Sequence, residues 1–208
     1  MPVKVPLRYQ ITEYDCGPTS LLNAVSYLFE REEIPPEVVR NIMLFCLDSY
    51  GADGFSGKSG TSHTAMQFLS HWLDGFGQTG RLALSSAYLS GREVELGQNS
   101  RLRDALLRGG AAVVRVDFEG WHYILLTGIR GEDVYAFDPY RIDGPLPVDG
   151  VQATDEYPER YNRVIPARLL SRESVAPYAF GPVETREAVL LFNGNTVLTV
   201  DETVEYMI

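Results

Sequence analysis

The clearest helical pattern in the chain begins at Cys16. Apolar side chains then recur at steps of three and four residues, the spacing that places them on one face of a helix. They are Leu21, Leu22, Val25, Leu28 and Phe29. We therefore predict a buried helix that begins at Cys16 and ends near Glu30.

The first turn of this helix carries further signals. Pro18 suits it, because the N–H that proline lacks would have no partner there. Asp15 is predicted to be the N-cap, with its carboxylate accepting free backbone N–H groups of the first turn. The helix dipole and those N–H groups would stabilise a thiolate at Cys16. A carboxylate beside the thiol would oppose that effect unless it points into its capping hydrogen bonds.

Shorter patterns predict the elements around this helix. Apolar residues alternate over 2–9 and predict a short strand or an extended arm. Helices are predicted over 37–48, 63–74 and 101–108. Gly75 and Gly77 are expected to end the second of these. The glycine-rich run 50–62 is interpreted as a surface loop that could border a substrate cleft.

The second half of the chain is rich in strand patterns. Strands are predicted over 82–88, 111–116, 121–129, 134–137, 187–192 and 196–200. The run 121–129 is almost entirely apolar, as expected of a strand buried on both faces. Tight turns predict an antiparallel meander of the second to fourth runs, and Asn193-Gly194-Asn195 predicts a hairpin between the last two. Residues 139–163 are interpreted as an irregular connection and 164–170 as a short helix.

Together these elements predict an α+β fold and a single domain over residues 1–208. An N-terminal helical part would pack on a mostly antiparallel sheet, and residues 141–208 would complete that sheet. The chain is 45% hydrophobic and 22% charged, ordinary proportions for a globular protein.

Composition narrows the expected partners and location. The formal net charge is -10, which argues against nucleic acid, because phosphate recognition depends on clustered Lys and Arg. The sequence has no apolar run of about 18 residues and no signal peptide pattern, so we expect no membrane segment. Two cysteines are too few for a disulfide framework, and a reducing cytoplasm is the expected compartment.

Four residues could form the site of a cysteine hydrolase with Cys16 as nucleophile. Such a site also needs a base, a group that orients the base, and donors for the oxyanion. His122 opens the apolar strand, where an imidazole must find a partner or a cavity. Asp138 ends the strand that returns after a tight turn, so the hairpin register places it within a few residues of His122. Gln10 could direct an amide N–H toward the same space.

Each residue also has a plainer interpretation. His122 could be a core histidine bonded to backbone, Asp138 could open a turn, and Gln10 could be a surface side chain. His63 and His71 are weaker candidates for the base, since both lie in a predicted surface helix.

The sequence carries no pattern for a metal or a cofactor. The two cysteines and three histidines lack close ligand pairs such as CxxC or HExxH. Gly57-Lys58-Ser59 lacks the upstream glycine and the preceding strand of a P-loop. Cys46 lies in an apolar helical run and is interpreted as a buried small residue. We therefore expect neither a metal nor a cofactor.

The strings QITEYDCGPTSL, WHYILLTGI and AFDP resemble the C39 group of papain-like cysteine peptidases. This group contains the double-glycine leader peptidases and their free-standing C39-like relatives, and the resemblance covers residues 8–140. It implies a papain-like fold in which Cys16 is the nucleophile and His122 the base. It further implies that Asp138 orients His122 and that Gln10 is an oxyanion donor.

The same resemblance implies a cysteine peptidase that acts on a peptide or protein through a thioester on Cys16. An acyltransferase or an amidase could use the same residues, and a C39-like domain can also bind peptides without turnover. Leader peptidases of the group usually form one domain of a membrane transporter. Because this sequence has no membrane segment, a free-standing member is expected.

Overall fold

A computed structural model describes residues 5–142, 146 and 148–194 of the chain. The helices are α1 (Cys16–Leu28), α2 (Pro36–Cys46), α3 (His63–Gln78), α4 (Arg101–Leu107) and α5 (Ala167–Leu170). The strands are β1 (Leu84–Ser90), β2 (Ala111–Asp117), β3 (Trp121–Arg130), β4 (Asp133–Phe137), β5 (Gln152–Ala153), β6 (Arg163–Pro166) and β7 (Glu187–Asn193). Short 3-10 turns occur at Gly91–Glu93 and Val183–Thr185.

These strands form one antiparallel sheet in the order β1-β7-β2-β3-β4-β6-β5. The predicted meander is present as β2, β3 and β4. Strand β7 comes from late in the chain yet lies between β1 and β2. Strands β6 and β5 extend the opposite edge beside β4. Residues beyond 141 therefore contribute strands on both sides of the β2-β3-β4 meander.

Two hydrophobic cores cover the two faces of this sheet. Helices α1, α2 and α3 contribute to the first core, and α4 and α5 to the second. Tyr123 and Leu125 of β3 enter the first core, whereas Ile124 and Leu126 enter the second. Because successive side chains of a strand point to opposite faces, a strand covered on both sides must be apolar throughout. This is the predicted environment of β3.

Helix α1 lies along β3 and is fixed to it by polar contacts as well as packing. Ser20 Oγ donates a hydrogen bond to the backbone oxygen of Tyr123 at 3.0 Å. Two turns further along α1, the Tyr27 hydroxyl donates a hydrogen bond to the backbone oxygen of Thr127 at 2.8 Å. These contacts hold the first turn of α1 at the end of the sheet where β3 begins. The helix begins at Cys16 as predicted and ends at Leu28.

Helix α3 is longer than predicted, because it continues through both glycines to Gln78. The prediction that Gly75 and Gly77 end the helix was therefore wrong. A Cβ atom at Gly77 would lie 1.7 Å from the backbone oxygen of Leu84, so glycine is needed for the close approach of α3 to β1. A Cβ atom at Gly75 would meet open space. The sequence marks a tight helix–strand contact here, not a helix end.

Two further predictions are modified by the structure. The segment 164–170 is half strand and half helix, since Val134 of β4 pairs with Ile165 and the helix begins only at Ala167. Residues 5–9 belong to no strand of the sheet, and Leu7 N–H donates to Pro158 O at 2.8 Å. The structure therefore shows no strand over residues 5–9, and residues 2–4 of the predicted segment lie outside the described residues.

The predicted C-terminal hairpin cannot be compared with the structure in full. Its first strand is β7, but its turn reaches residue 195 and its second strand covers 196–200. Those residues lie outside the part of the chain that the structure describes.

The two glycines of α3 provide a matched test of this packing. We expect Gly75→Ala to raise the free energy of unfolding by about 0.5–1 kcal/mol, because alanine is the better helix former and has room there. We expect Gly77→Ala to lower it by about 1–3 kcal/mol or more through overpacking against Leu84. Urea unfolding of both variants measures the difference, and equal effects would contradict the assigned contact.

Candidate active site

Cys16 is the first residue of α1 and is largely buried, with 7% of its surface exposed. The next residue, Gly17, allows the loop before α3 to close on the helix start. A Cβ atom at Gly17 would lie 2.3 Å from Thr61 Oγ1. As a result, Ser59 and Gly60 line a cavity of about 340 Å³ together with Cys16. The glycine-rich run thus borders the cysteine.

His122 and Asp138 form a buried pair at the same end of the sheet. His122 Nε2 lies 2.7 Å from Asp138 Oδ1. The hairpin has the predicted register apart from a one-residue shift, so Leu125 faces Phe137 and Asp138 follows directly. Asp138 is 0% exposed and His122 only 6% exposed, so water hardly competes for this contact.

Cys16 and His122 face each other across a smaller cavity of about 150 Å³, which Gln10 and Tyr140 also line. The Cys16 thiol is close enough to the imidazole to affect the charge state of His122. Nε2 of the imidazole is the nitrogen that faces Asp138. The imidazole therefore contacts the carboxylate through Nε2, and the thiol lines the same cavity.

This environment changes the protonation of His122. Burial lowers the pKa of His122, but the hydrogen bonds to Asp138 and Cys16 raise it, and the net result is a pKa of about 10. A folded-state pKa above the ordinary value means that the protonated ring stabilises the fold at neutral pH. That contribution is lost as the pH rises through about 10.

Asp138 is ionised because several donors surround it. Its Oδ1 also accepts the backbone N–H of Tyr140 at 2.8 Å, and its Oδ2 accepts the hydroxyl of Tyr178 at 2.6 Å. Burial raises the pKa of this carboxyl, yet the bonds from His122 and Tyr178 outweigh it and leave the pKa below its usual value. The contact with Tyr140 is the turn predicted as the plainer alternative. Asp138 therefore opens a turn and holds His122 at once.

Asp15 precedes α1 but does not cap it through its side chain. Its carboxylate turns back and accepts the backbone N–H groups of Ile11 at 3.0 Å and Thr12 at 2.6 Å. It also accepts the hydroxyls of Thr12 at 2.5 Å and Thr19 at 3.3 Å. Asp15 occupies the N-cap position as predicted, but its carboxylate does not accept the N–H groups of the first turn, because the tight turn over 11–15 supplies its donors instead. Burial raises the pKa of Asp15 and these bonds lower it below the usual value.

Gln10 lies beside Cys16, as the sequence predicts. Its backbone N–H donates to Pro139 O at 2.9 Å, which fixes the segment next to Asp138. Its side-chain Nε2 donates to the backbone oxygen of Thr12 at 2.8 Å, and its Oε1 is buried without a partner. The Gln10 amide thus donates one N–H locally, and Gln10 lines the same cavity of about 150 Å³ as Cys16.

A second buried polar cluster lies one residue beyond His122. Tyr123 and Tyr88 donate hydroxyl hydrogen bonds to Glu187 at 2.7 and 2.9 Å. Arg115 Nε lies 3.3 Å from the same carboxylate, and its guanidinium stacks 4.5 Å from the Trp121 ring centre. Burial and Glu187 raise the pKa of Tyr123, so this phenol stays protonated. The cluster fixes the first residues of β3, and with them His122.

The other candidates line neither of the two cavities that Cys16 lines. His63 and His71 are exposed on α3. Cys46 is fully buried, as predicted, and burial raises the pKa of its thiol. No group of three or more His, Cys, Asp or Glu side chains within the described residues could hold a metal ion.

Three residues of the later chain complete the surroundings of Asp138 and were not predicted. Asn162 makes two hydrogen bonds to the Asp138 backbone, both of 2.8 Å. Tyr178 reaches the carboxylate, and Arg163 donates to the Tyr178 hydroxyl at 3.4 Å. They lie 24 to 40 residues beyond Asp138, and no local pattern marks them.

Comparison with protein families identifies the group to which this arrangement corresponds. The model described as the Peptidase_C39 like family matches residues 2–163. The chain belongs to this family. The papain-like α+β fold expected of a C39-like protein is thereby confirmed, with the cysteine helix packed on an antiparallel sheet. No curated protein matches the sequence significantly.

Two solved structures are similar to this C39-like chain. One is a double glycine motif protease from an AMS/PCAT transporter in complex with the leader peptide. It is 14% identical, with a TM-score of 0.46 over 91% of this chain and 92% of that one. The other is the peptidase domain of Streptococcus mutans ComA, 11% identical, with a TM-score of 0.39 over 90% and 98% of the two chains.

The helices of this C39-like chain are short relative to a lipid bilayer. Within residues 5–142, 146 and 148–194, none is long and apolar enough to cross a membrane.

The cause of the raised His122 pKa can be tested by removing one charge. In Asp138→Asn we expect the pKa of His122 to fall from about 10 toward its ordinary value, since burial is then opposed by Cys16 but no longer by Asp138. NMR titration of the imidazole signals measures this change, with His63 and His71 as internal references. Asp133→Asn, which removes a carboxylate from the exposed end of the same strand, should leave His122 unchanged. A pKa near 10 in Asp138→Asn would contradict the assigned cause.

Proposed function

We propose that the protein is a cysteine peptidase that hydrolyses a peptide or amide bond through a thioester on Cys16. The observation that carries this proposal is the buried His122, which is bonded to Asp138 through Nε2 and lines one cavity with Cys16. Membership of the C39-like family supports the same reaction class. The expected substrate is a peptide or protein segment, because two cavities share Cys16, Glu13 and Trp121 in their lining and offer room beside the sulfur.

The chemistry follows from the positions of these groups. The Cys16 sulfur, as thiolate beside the protonated His122, attacks the substrate carbonyl and forms a C–S bond. The carbonyl oxygen takes up negative charge near the Cys16 backbone N–H and the Gln10 amide. His122 then donates its proton to the leaving amine as the C–N bond breaks. Water, deprotonated by His122, attacks the thioester and releases the acid and the free thiol.

Asp138 assists these reaction steps without exchanging a proton. It holds the imidazole with one nitrogen toward the sulfur and stabilises the charge that the ring carries. The role requires a carboxylate that stays ionised, and the donors around Asp138 meet that requirement. Asp15 is a second carboxylate near the thiol, but its four hydrogen bonds direct its charge into the 11–15 turn.

Incubation with a peptide library, followed by mass analysis, tests the reaction. We expect the wild-type protein to cleave peptides and to form a covalent adduct on Cys16, and Cys16→Ser to do neither. Cys46→Ala removes the other thiol and should retain cleavage, since Cys46 is fully buried and lines neither cavity beside Cys16. Crosslinked or deamidated peptides would instead indicate an acyltransferase or an amidase. Binding without any change in mass would indicate a peptide-binding module.

The contribution of Gln10 can be measured once a cleaved peptide is known. We expect Gln10→Ala to lower kcat by about 10²–10³, the usual loss for one oxyanion donor, with little change in KM. Gln67→Ala, which removes an exposed glutamine from α3, is the matched control and should leave kcat unchanged. A rise in KM at constant kcat would show that Gln10 contacts the substrate and not the oxyanion.

A further inference from the structure

Tyr178 makes a fully buried polar contact with Asp138. Its side chain is 0% exposed, and its hydroxyl donates to Asp138 Oδ2 at 2.6 Å. The other carboxylate oxygen, Oδ1, serves His122 and the backbone N–H of Tyr140. With donors on both oxygens, the carboxylate plane cannot rotate without breaking at least one bond. Tyr178 therefore fixes which oxygen His122 meets.

The backbone of Tyr178 has an unusual conformation. Its φ is 62°, in the left-handed region that bulky residues rarely adopt. Hydrogen bonds to β2 hold it there: Tyr178 N–H donates to Asp117 O at 2.7 Å, and Asp117 N–H donates to Ala179 O at 2.9 Å. Backbone strain of this kind is kept where the surroundings enforce it. Here it aims a phenol at the active-site carboxylate.

Arg163 stands behind Tyr178 in the same chain of contacts. Its Nε donates to the Tyr178 hydroxyl oxygen at 3.4 Å, and its Nη1 donates to Asn162 O at 2.9 Å. A cation on the oxygen of a phenol makes its O–H a stronger donor. Among the described residues, the ionisable side chains that bond to the Asp138 carboxylate are His122 from β3 and Tyr178 from the segment after α5, and Arg163 from β6 bonds in turn to Tyr178.

We propose that Tyr178 is a positioning residue for the reaction, which keeps Asp138 ionised and in register with His122, with Arg163 strengthening its hydroxyl. The proposal rests on the proposed function for its purpose. Tyr178 also lies beyond residues 2–163, the range that the family model matches. The late segment of the chain would then serve the site as well as the sheet.

A buried phenol needs a hydrogen-bond partner for stability alone, so the test must separate positioning from packing. Tyr178→Phe removes the hydroxyl and keeps the ring. Tyr27→Phe is the matched control, because Tyr27 donates a comparable bond of 2.8 Å to the Thr127 backbone, away from the site. The readout is the NMR signal of the proton between His122 Nε2 and Asp138 Oδ1, followed as the pH falls in the full chain.

Loss of the Tyr178 donor should make Asp138 easier to protonate. We expect the His122–Asp138 proton signal to disappear at a pH about one unit higher in Tyr178→Phe than in wild type, the shift that a hydrogen bond to a charged group implies. Tyr27→Phe should keep the wild-type pH while losing comparable thermal stability. Arg163→Gln is a second variant for the case that Tyr178→Phe does not fold. In it we expect the pH at which the signal disappears to rise in the same direction, but by less.

Identical pH values in wild type, Tyr178→Phe and Arg163→Gln would overturn the proposal and leave Tyr178 a packing residue. The measurement uses no substrate, so it is independent of the peptide-library result. A shifted signal in a protein that cleaves no peptide would remove the peptidase function and keep the positioning role. Peptide cleavage with an unshifted signal would support the peptidase function and remove the positioning role of Tyr178.

Discussion

The hydrogen bond between His122 and Asp138 is the contact on which the arrangement of the site depends. Both side chains are almost fully buried, and an ionised carboxylate without water is costly unless donors surround it. Asp138 obtains these donors from β3, from the turn after β4 and from the segment after α5. A single buried charge thereby ties together three separate parts of the chain.

The sheet order explains how these parts meet. Strands β3 and β4 form a local hairpin, which brings His122 and Asp138 together with little loop to close. Strand β6 pairs with β4 and carries Arg163, with Asn162 directly before it. Helix α1 lies against β3, so its first turn delivers Cys16 to the same end. The site is built where a local hairpin meets elements that are distant in sequence.

The features predictable from sequence are those with local causes. Helix α1 and strand β3 follow from their apolar periodicity, and the His122–Asp138 contact follows from a tight turn and its register. The role of Gly77 in helix–strand packing could not be predicted, because only the close approach of β1 distinguishes this glycine from one that ends a helix. Tyr178 was hidden for the same reason. Its partner is 40 residues away, and nothing in its own neighbourhood marks it.

The electrostatic balance around Cys16 is decided by where the carboxylates point, not by their number. Asp15 and Asp138 are both held in the ionised form, and the protonated His122 lines one cavity with Cys16. Asp15 directs its charge to donors of the 11–15 turn and α1, whereas Asp138 directs its own to the imidazole. The first arrangement satisfies the negative charge of Asp15 with local donors. The second keeps a positive charge on the imidazole through neutral pH, so the carboxylate that precedes Cys16 in sequence does not decide the charge at the cavity.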